Sequence, residues 1–109
     1  MTVSLTDAAT GFRLRLDQKR AKFVTRELAH EKKVRPHHRG IDMKSDASCL
    51  ISVRSPGRRE RRYQIFDGTI VLEESTNLSW QFFAGLLLMD WLKQAQPAVP
   101  APPFQPAVP

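Results

Sequence analysis

The stretch Leu78 to Gln94, LSWQFFAGLLLMDWLKQ, sets the terms for any fold this chain adopts. It holds both tryptophans and two of the six phenylalanines, and no other run is apolar enough to anchor a core. Projected at about 100° per residue, Trp80, Phe83, Ala84, Leu87, Leu88 and Trp91 form one broad helical face. Phe82, Leu86 and Met89 gather on roughly the opposite side. A helix apolar on two sides must bury both, under its own sheet and against another helix or a second chain. Asn77 and Ser79 are suited to cap its start, Lys93 complements the negative end of its dipole, and Pro97 stops it. The uninterrupted apolar run Phe82 to Met89 has eight residues. About 18 to 20 are needed to span hydrocarbon, so a core helix is expected and transmembrane insertion is not.

At 109 residues the chain makes a single domain. The expected division is a flexible N-terminus over 1–10, one α+β domain over 11–95, and a proline-rich disordered tail over 96–109. The tail repeats PAVP at 97–100 and 106–109 and suits polyproline II, as a linker or as a ligand for an aromatic groove. Cys49 is the single cysteine, which rules out an intrachain disulfide and points to a reducing, cytoplasmic setting. Met1 to Gly11 has neither the basic start nor the apolar run of a signal peptide.

The formal charge of +6 conceals an asymmetry. Residues 1–62 contain 16 Lys and Arg against 7 Asp and Glu, whereas residues 63–109 contain one Lys against four acidic residues. The basic half suits nucleic acid, acidic protein surfaces or anionic lipid, and equally suits a surface that is merely solvated.

In chain order, Gly11 to Leu16 (GFRLRL) alternates with period two and reads as a short half-buried strand, although it also fits the opening of the next helix. Asp17 caps a helix running to about Lys33, with Phe23, Val24 and Leu28 as its apolar stripe. Val34 to Ser48 reads as a loop. Cys49, Ile51 and Val53 alternate with Leu50, Ser52 and Arg54 as a strand, and Ser55-Pro56-Gly57-Arg58 fits a type II turn. Arg61 to Phe66 returns, Asp67-Gly68 marks a type I′ hairpin, and Thr69 to Glu74 completes a meander. The expected fold is therefore α+β: a three-stranded antiparallel meander, with Gly11–Leu16 as a candidate fourth strand and two helices on one face. The order is (β)αβββα.

Chemistry is sparse. His30, His37, His38 and Cys49, with Asp42 and Asp46, lack the tight paired spacing of zinc ligands, and Lys and Arg flank them. Cys49 on a core strand acts as a small hydrophobe, and Glu73 and Glu74 point to opposite faces of their strand. No phosphate-cradling glycine loop is present, so neither enzymatic activity nor a cofactor is expected. Arg35-Pro-His-His-Arg39 followed by Asp46-Ala-Ser48 resembles the RxxxR and [D/N]xSxxG halves of the PilZ motif, which binds cyclic di-GMP. Here the halves stand closer together and Ile51 replaces the final glycine, so the pattern is incomplete and the family is not assigned.

Two functional readings follow. The first is a small binding or regulatory protein, a homodimer or adaptor, acting through Phe82, Leu86 and Met89. The second is a nucleic-acid-binding protein that uses the arginine-rich hairpin 54–63. Its anion-binding residues would be Lys33, Arg35, Arg39, Arg58, Arg59, Arg61 and Arg62. Weak attachment to a membrane surface is a third, supported only by basic and aromatic composition.

Overall fold

The computed structural model describes residues 1–34, 36–37 and 47–96. It is α+β, but the three-stranded meander is overturned. One antiparallel sheet of seven strands takes its place. The strands are β1 (Thr2–Asp7), β2 (Arg13–Arg15), β3 (Pro36–His37), β4 (Cys49–Arg54), β5 (Arg61–Phe66), β6 (Ile70–Glu73) and β7 (Leu78–Gln81). The helices are α1 (Gln18–Val34), which precedes β3, and α2 (Ala84–Ala95), which closes the order. Spatially the strands run β2-β1-β4-β5-β6-β7-β3, and β3 is only a two-residue bridge at one edge. The expected order (β)αβββα is thus corrected to ββαβββββα.

Three strands depart from the expectation, one of them the two-residue β3 inside the expected loop Val34 to Ser48. Thr2–Asp7, within the segment expected to be flexible, pairs with β2 on one side and with β4 on the other. Its register against β4 runs from Thr2↔Arg54 to Asp7↔Cys49, and Val3 and Leu5 are completely buried. The pattern TVSLTD alternates apolar and polar residues, which is the mark of a half-buried strand. The third is Leu78–Gln81, read from the sequence as the first turn of the apolar helix. Asn77 adopts φ 58°, so it serves a left-handed turn residue between β6 and β7 and does not cap a helix. Helix α2 starts only at Ala84, after Phe83 as N-cap residue.

The locally encoded features form as expected. Asp17 accepts the backbone N–H of Arg20 through Oδ1 at 2.8 Å and starts α1, whose buried residues are Ala21, Val24 and Leu28. Gly57 at φ 72° and the Arg58 N–H to Ser55 carbonyl bond of 3.1 Å make the turn between β4 and β5. Asp67 and Gly68 at φ 54° and 72° make the turn between β5 and β6.

One face of the sheet carries the core. Cross-strand neighbours Val3↔Val53, Leu5↔Ile51, Ile51↔Tyr63, Ile65↔Val71 and Val71↔Trp80 build a continuous apolar layer. That layer joins Val24 and Leu28 of α1 and Leu88 and Leu92 of α2 in a single cluster, so both helices cover the same face. They touch through Phe23 and Trp91, edge to face with centroids 6.0 Å apart. Gln96, just past α2, donates through Nε2 to Asp7 Oδ2 at 2.6 Å and accepts from the Thr10 hydroxyl at 3.2 Å. This clasp ties the end of the helix to the β1–β2 turn.

Helix α2 lies against the β5–β6 turn through glycine. A Cβ on Gly85 would collide with the Gly68 carbonyl oxygen and stand 3.3 Å from Ile65 Cγ2. The carbonyl belongs to a tight turn and has little freedom to retreat. At an open helical site glycine to alanine would stabilise by about 1 kcal/mol. Gly85→Ala should instead destabilise by about 1–3 kcal/mol through overpacking, measured as a lower urea midpoint with an unchanged slope. A gain in stability would show that the helix is not seated on the turn.

Candidate functional site

The exposed side of α2 follows from the way its other side is buried. Gly85, Leu88 and Leu92 point into the core at the i, i+3, i+7 spacing of one helical face. Leu86 and Leu87 consequently face outward, 56% and 41% exposed. Of the three residues expected at a protein interface, only Leu86 lies on the surface in this way. Phe82 precedes the helix and is completely buried, its N–H bonded to the Thr69 carbonyl, so it belongs to the core and not to an interface. Met89 is half-buried and packs on the core cluster. Leu87, which the helical projection groups with Trp80, Leu88 and Trp91, is a surface residue although Trp80 and Leu88 are buried.

Trp91 also departs from expectation. It stands at the flank between the helices, half-buried, with the Arg20 guanidinium 4.7 Å above its ring. With Leu87, Phe23, Asp17 and Lys19 these groups outline a shallow depression of about 430 Å³. On the other side of Leu86 a second depression of about 320 Å³ is bordered by Met89, Asp90 and Lys93. The exposed leucines therefore sit at the centre of an apolar strip whose rim carries both signs of charge.

The expected cluster of hairpin arginines is divided by strand geometry. Successive strand residues point to opposite faces, so Arg61 lies on the helix-covered side with Tyr63 while Arg62 lies on the open side. Arg58 and Arg59 are exposed at the turn, and Lys33 is exposed in the last turn of α1. Arg35 and Arg39, and the PilZ-like residues with them, lie outside the described residues. Glu60 faces the open side and engages Arg62 at 3.2 Å, Arg54 at 3.6 Å and the Ser52 hydroxyl at 2.7 Å. The Ser52 hydrogen bond first, then Arg62 and Arg54, hold the Glu60 carboxyl below its ordinary range.

What the open face does assemble includes two arginines that sequence reasoning left out. The register Arg15↔Ser4, Ser4↔Ser52 and Ser52↔Arg62 makes one cross-strand row with small hydroxyl residues between two guanidinium groups. Arg13 lies on the same face beside Thr6. The alternation in GFRLRL already placed Arg13 and Arg15 on one side of a strand. That β1 would bring them beside β4 and β5 was not visible.

Among the described residues no group of three His, Cys, Asp or Glu is placed to hold a metal ion, and no helix is long and apolar enough to cross a membrane. Cys49 is fully buried, and burial pushes its thiol up to about 12, so it is a thiol and not a thiolate at neutral pH. Comparison with known protein families, curated proteins and solved structures finds no match to this chain.

A partly exposed ion pair links α1 to the sheet, its lysine side chain 40% and its glutamate 10% exposed. Lys32 Nζ donates to Glu73 Oε1 at 2.8 Å, and the Thr76 hydroxyl donates to the same oxygen at 2.8 Å. Burial raises the Glu73 carboxyl, but the hydrogen bonds from Lys32 and Thr76 and the charges of Lys32 and Arg61 outweigh it and leave the group below its ordinary value of 4.5. A depressed folded-state value means stability that is complete above the unfolded value and lost as pH falls through the folded one. Lys32→Met should therefore lower stability at pH 7 by about 1–2 kcal/mol, a figure kept small by the partial exposure of the lysine. The difference from wild type should shrink on acidification below 4.5, as Glu73 takes up its proton. Chemical denaturation of both proteins across that range checks the sign.

Proposed function

We propose that the chain is a small non-enzymatic binding protein acting through protein–protein contacts, with a second copy of itself as partner on the exposed side of α2. The observation that carries this reading is the pair Leu86 and Leu87, both more than two-fifths exposed at the centre of an apolar strip. A two-fold interface needs one self-complementary patch, apolar at its centre and able to pair charges at its rim. The strip meets both conditions, since Asp17 and Asp90 border it together with Lys19, Arg20 and Lys93. Two chains of net charge +6 repel each other, so the apolar centre must supply most of the attraction.

Sedimentation over a range of protein concentrations should show reversible dimerisation of the full chain. Leu87→Glu and Leu86→Glu should each weaken it by about 100-fold or more, because an unpaired carboxylate in a dry interface costs several kcal/mol. Both variants should retain the wild-type circular dichroism spectrum. A wild-type chain that remains monomeric at the highest soluble concentration rules the reading out.

A second reading rests on the open sheet face, which α2 leaves free. Arg13, Arg15, Arg54 and Arg62 share that face, against Glu60 and Glu74, and could track a phosphate backbone. In this reading the basic surface is the sheet and not the hairpin tip. Replacing Arg13 and Arg15 by alanine should weaken binding to single-stranded nucleic acid and reduce its salt dependence by roughly one to two counterions. Arg58→Ala with Arg59→Ala, at the hairpin tip, should do less. No retention of wild type by DNA or RNA at low salt removes this reading.

A further inference from the structure

The hydrogen bonds between β1 and β2 fix what β2 offers on its other side. The Leu16 N–H donates to the Val3 carbonyl at 2.9 Å, and the Asp7 N–H donates to the Phe12 carbonyl at 2.8 Å. Between these two bonds the register runs Ser4↔Arg15, Leu5↔Leu14 and Thr6↔Arg13. Opposed residues of an antiparallel ladder alternate between those that exchange hydrogen bonds and those that do not. Phe12, Leu14 and Leu16 therefore turn their backbone groups toward β1, whereas Arg13 and Arg15 turn theirs outward. Among the described residues no strand lies beyond β2 in the sheet order. The N–H and carbonyl groups of both arginines thus stand along a free edge.

The side chains along this edge are as regular as its backbone. Arg13 and Arg15 are exposed on the open face, and neither makes an ion pair among the described residues. Leu14 lies between them on the helix side, half-buried, and packs with Phe12 against the core. A strand laid beside β2 would set successive residues opposite a guanidinium, a leucine and a second guanidinium. A second copy of β2 is a poor occupant, because it would set arginine against arginine. Nucleic acid could pair with the guanidinium groups, but it brings no peptide groups at strand spacing to match the backbone of the edge.

We propose that the β2 edge docks an extended acidic segment of a partner protein, which adds an antiparallel strand to the sheet with the side-chain pattern acidic, apolar, acidic. Its carboxylates pair with Arg13 and Arg15, its apolar residue covers Leu14, and its backbone bonds to that of the two arginines. The site uses no residue of α2, so it stands whether or not the chain dimerises through that helix.

The probe is the capped peptide acetyl-Ser-Glu-Val-Glu-Val-Glu-Ser-amide, titrated into the full-length protein at constant ionic strength. Backbone amide resonances report on it directly. The Arg13 and Arg15 amide protons should move downfield saturably as they gain acceptors, whereas Leu14, already bonded to β1, should move little. A peptide with lysine in place of each glutamate should bind at least about tenfold more weakly. N-methylation of the glutamates keeps every charge and removes the ladder donors, and it should weaken binding by about the same factor. Arg13→Glu combined with Arg15→Glu, at two exposed positions, should invert the preference in favour of the lysine peptide. Arginine amide protons that do not move with the glutamate peptide overturn the proposal. Equal affinity for the N-methylated peptide would overturn it too, by reducing the contact to charge alone. Oligothymidylate moving the same two protons as far would give the edge to nucleic acid, and movement with protein concentration alone would give it to a second copy.

Discussion

The pairing of β1 with β4 is the contact on which the rest of the molecule depends. Its ladder runs from Thr2↔Arg54 to Asp7↔Cys49 and joins the first residues of the chain to the middle. Without it the meander β4 to β7 would present an unpaired edge, and β2 would have no strand to lie on. Val3 and Leu5 supply two of the fully buried side chains of the core, facing Val53 and Ile51 across the ladder. The same ladder places Asp7 where Gln96 can reach it, so the end of α2 is fixed by the position of β1. Closing this contact is entropically costly because the intervening chain includes all of α1, and the burial of Val3, Leu5, Ile51 and Val53 on its core side helps offset that cost.

How much of this was legible in the sequence divides along the same line. Features set by neighbours in sequence could be read: the Asp17 cap, the Pro56-Gly57 turn, the Asp67-Gly68 hairpin, and the alternation of β4, β5 and β6. Features set by distant pairing could not. TVSLTD has strand periodicity, but only Val3 and Leu5 are apolar in it, a weaker signal than in β4 or β5. The misreading at 78–83 has a different origin. Trp80 and Phe82 are two residues apart, as on one side of an extended chain, and both are buried. A helical projection of the same residues finds Trp80 in register with Phe83, Ala84 and Leu87, so a strand, a bend and a helix mimic one long helix. Asn77 marks the difference, since its left-handed backbone ends a hairpin.

Strand alternation also explains why the arginine count misled. Four arginines close together in sequence suggest one basic patch, yet Arg61 and Arg62 cannot share a face. Arg61 goes to the helix-covered side beside Tyr63, whereas Arg62 joins Arg15 in a row that only the sheet order creates. Glu60, which stands among those arginines in the sequence, holds Arg54, Arg62 and Ser52 together on the open side. The charge belongs to the fold and not to the segment.

The rotation of α2 about its own axis links the core to the surface. Gly85 fixes it, because only a residue without a side chain can lie against the Gly68 carbonyl. With Gly85 down, Leu88 and Leu92 follow at helical spacing and fill the core. Leu86, Leu87 and Leu88 are consecutive, and at about 100° per residue three such neighbours cannot all point inward. The two that remain outside are only partly covered in the monomer, where lysine or glutamate would serve a helix about as well and keep it more soluble. Leu86 touches Gly68 at one edge and Leu87 neighbours the Phe23–Trp91 pair, so both lie on rigid surroundings. A preformed apolar strip on a rigid helix loses little conformational freedom on association, which is the physical property that favours a contact surface over an incidental one.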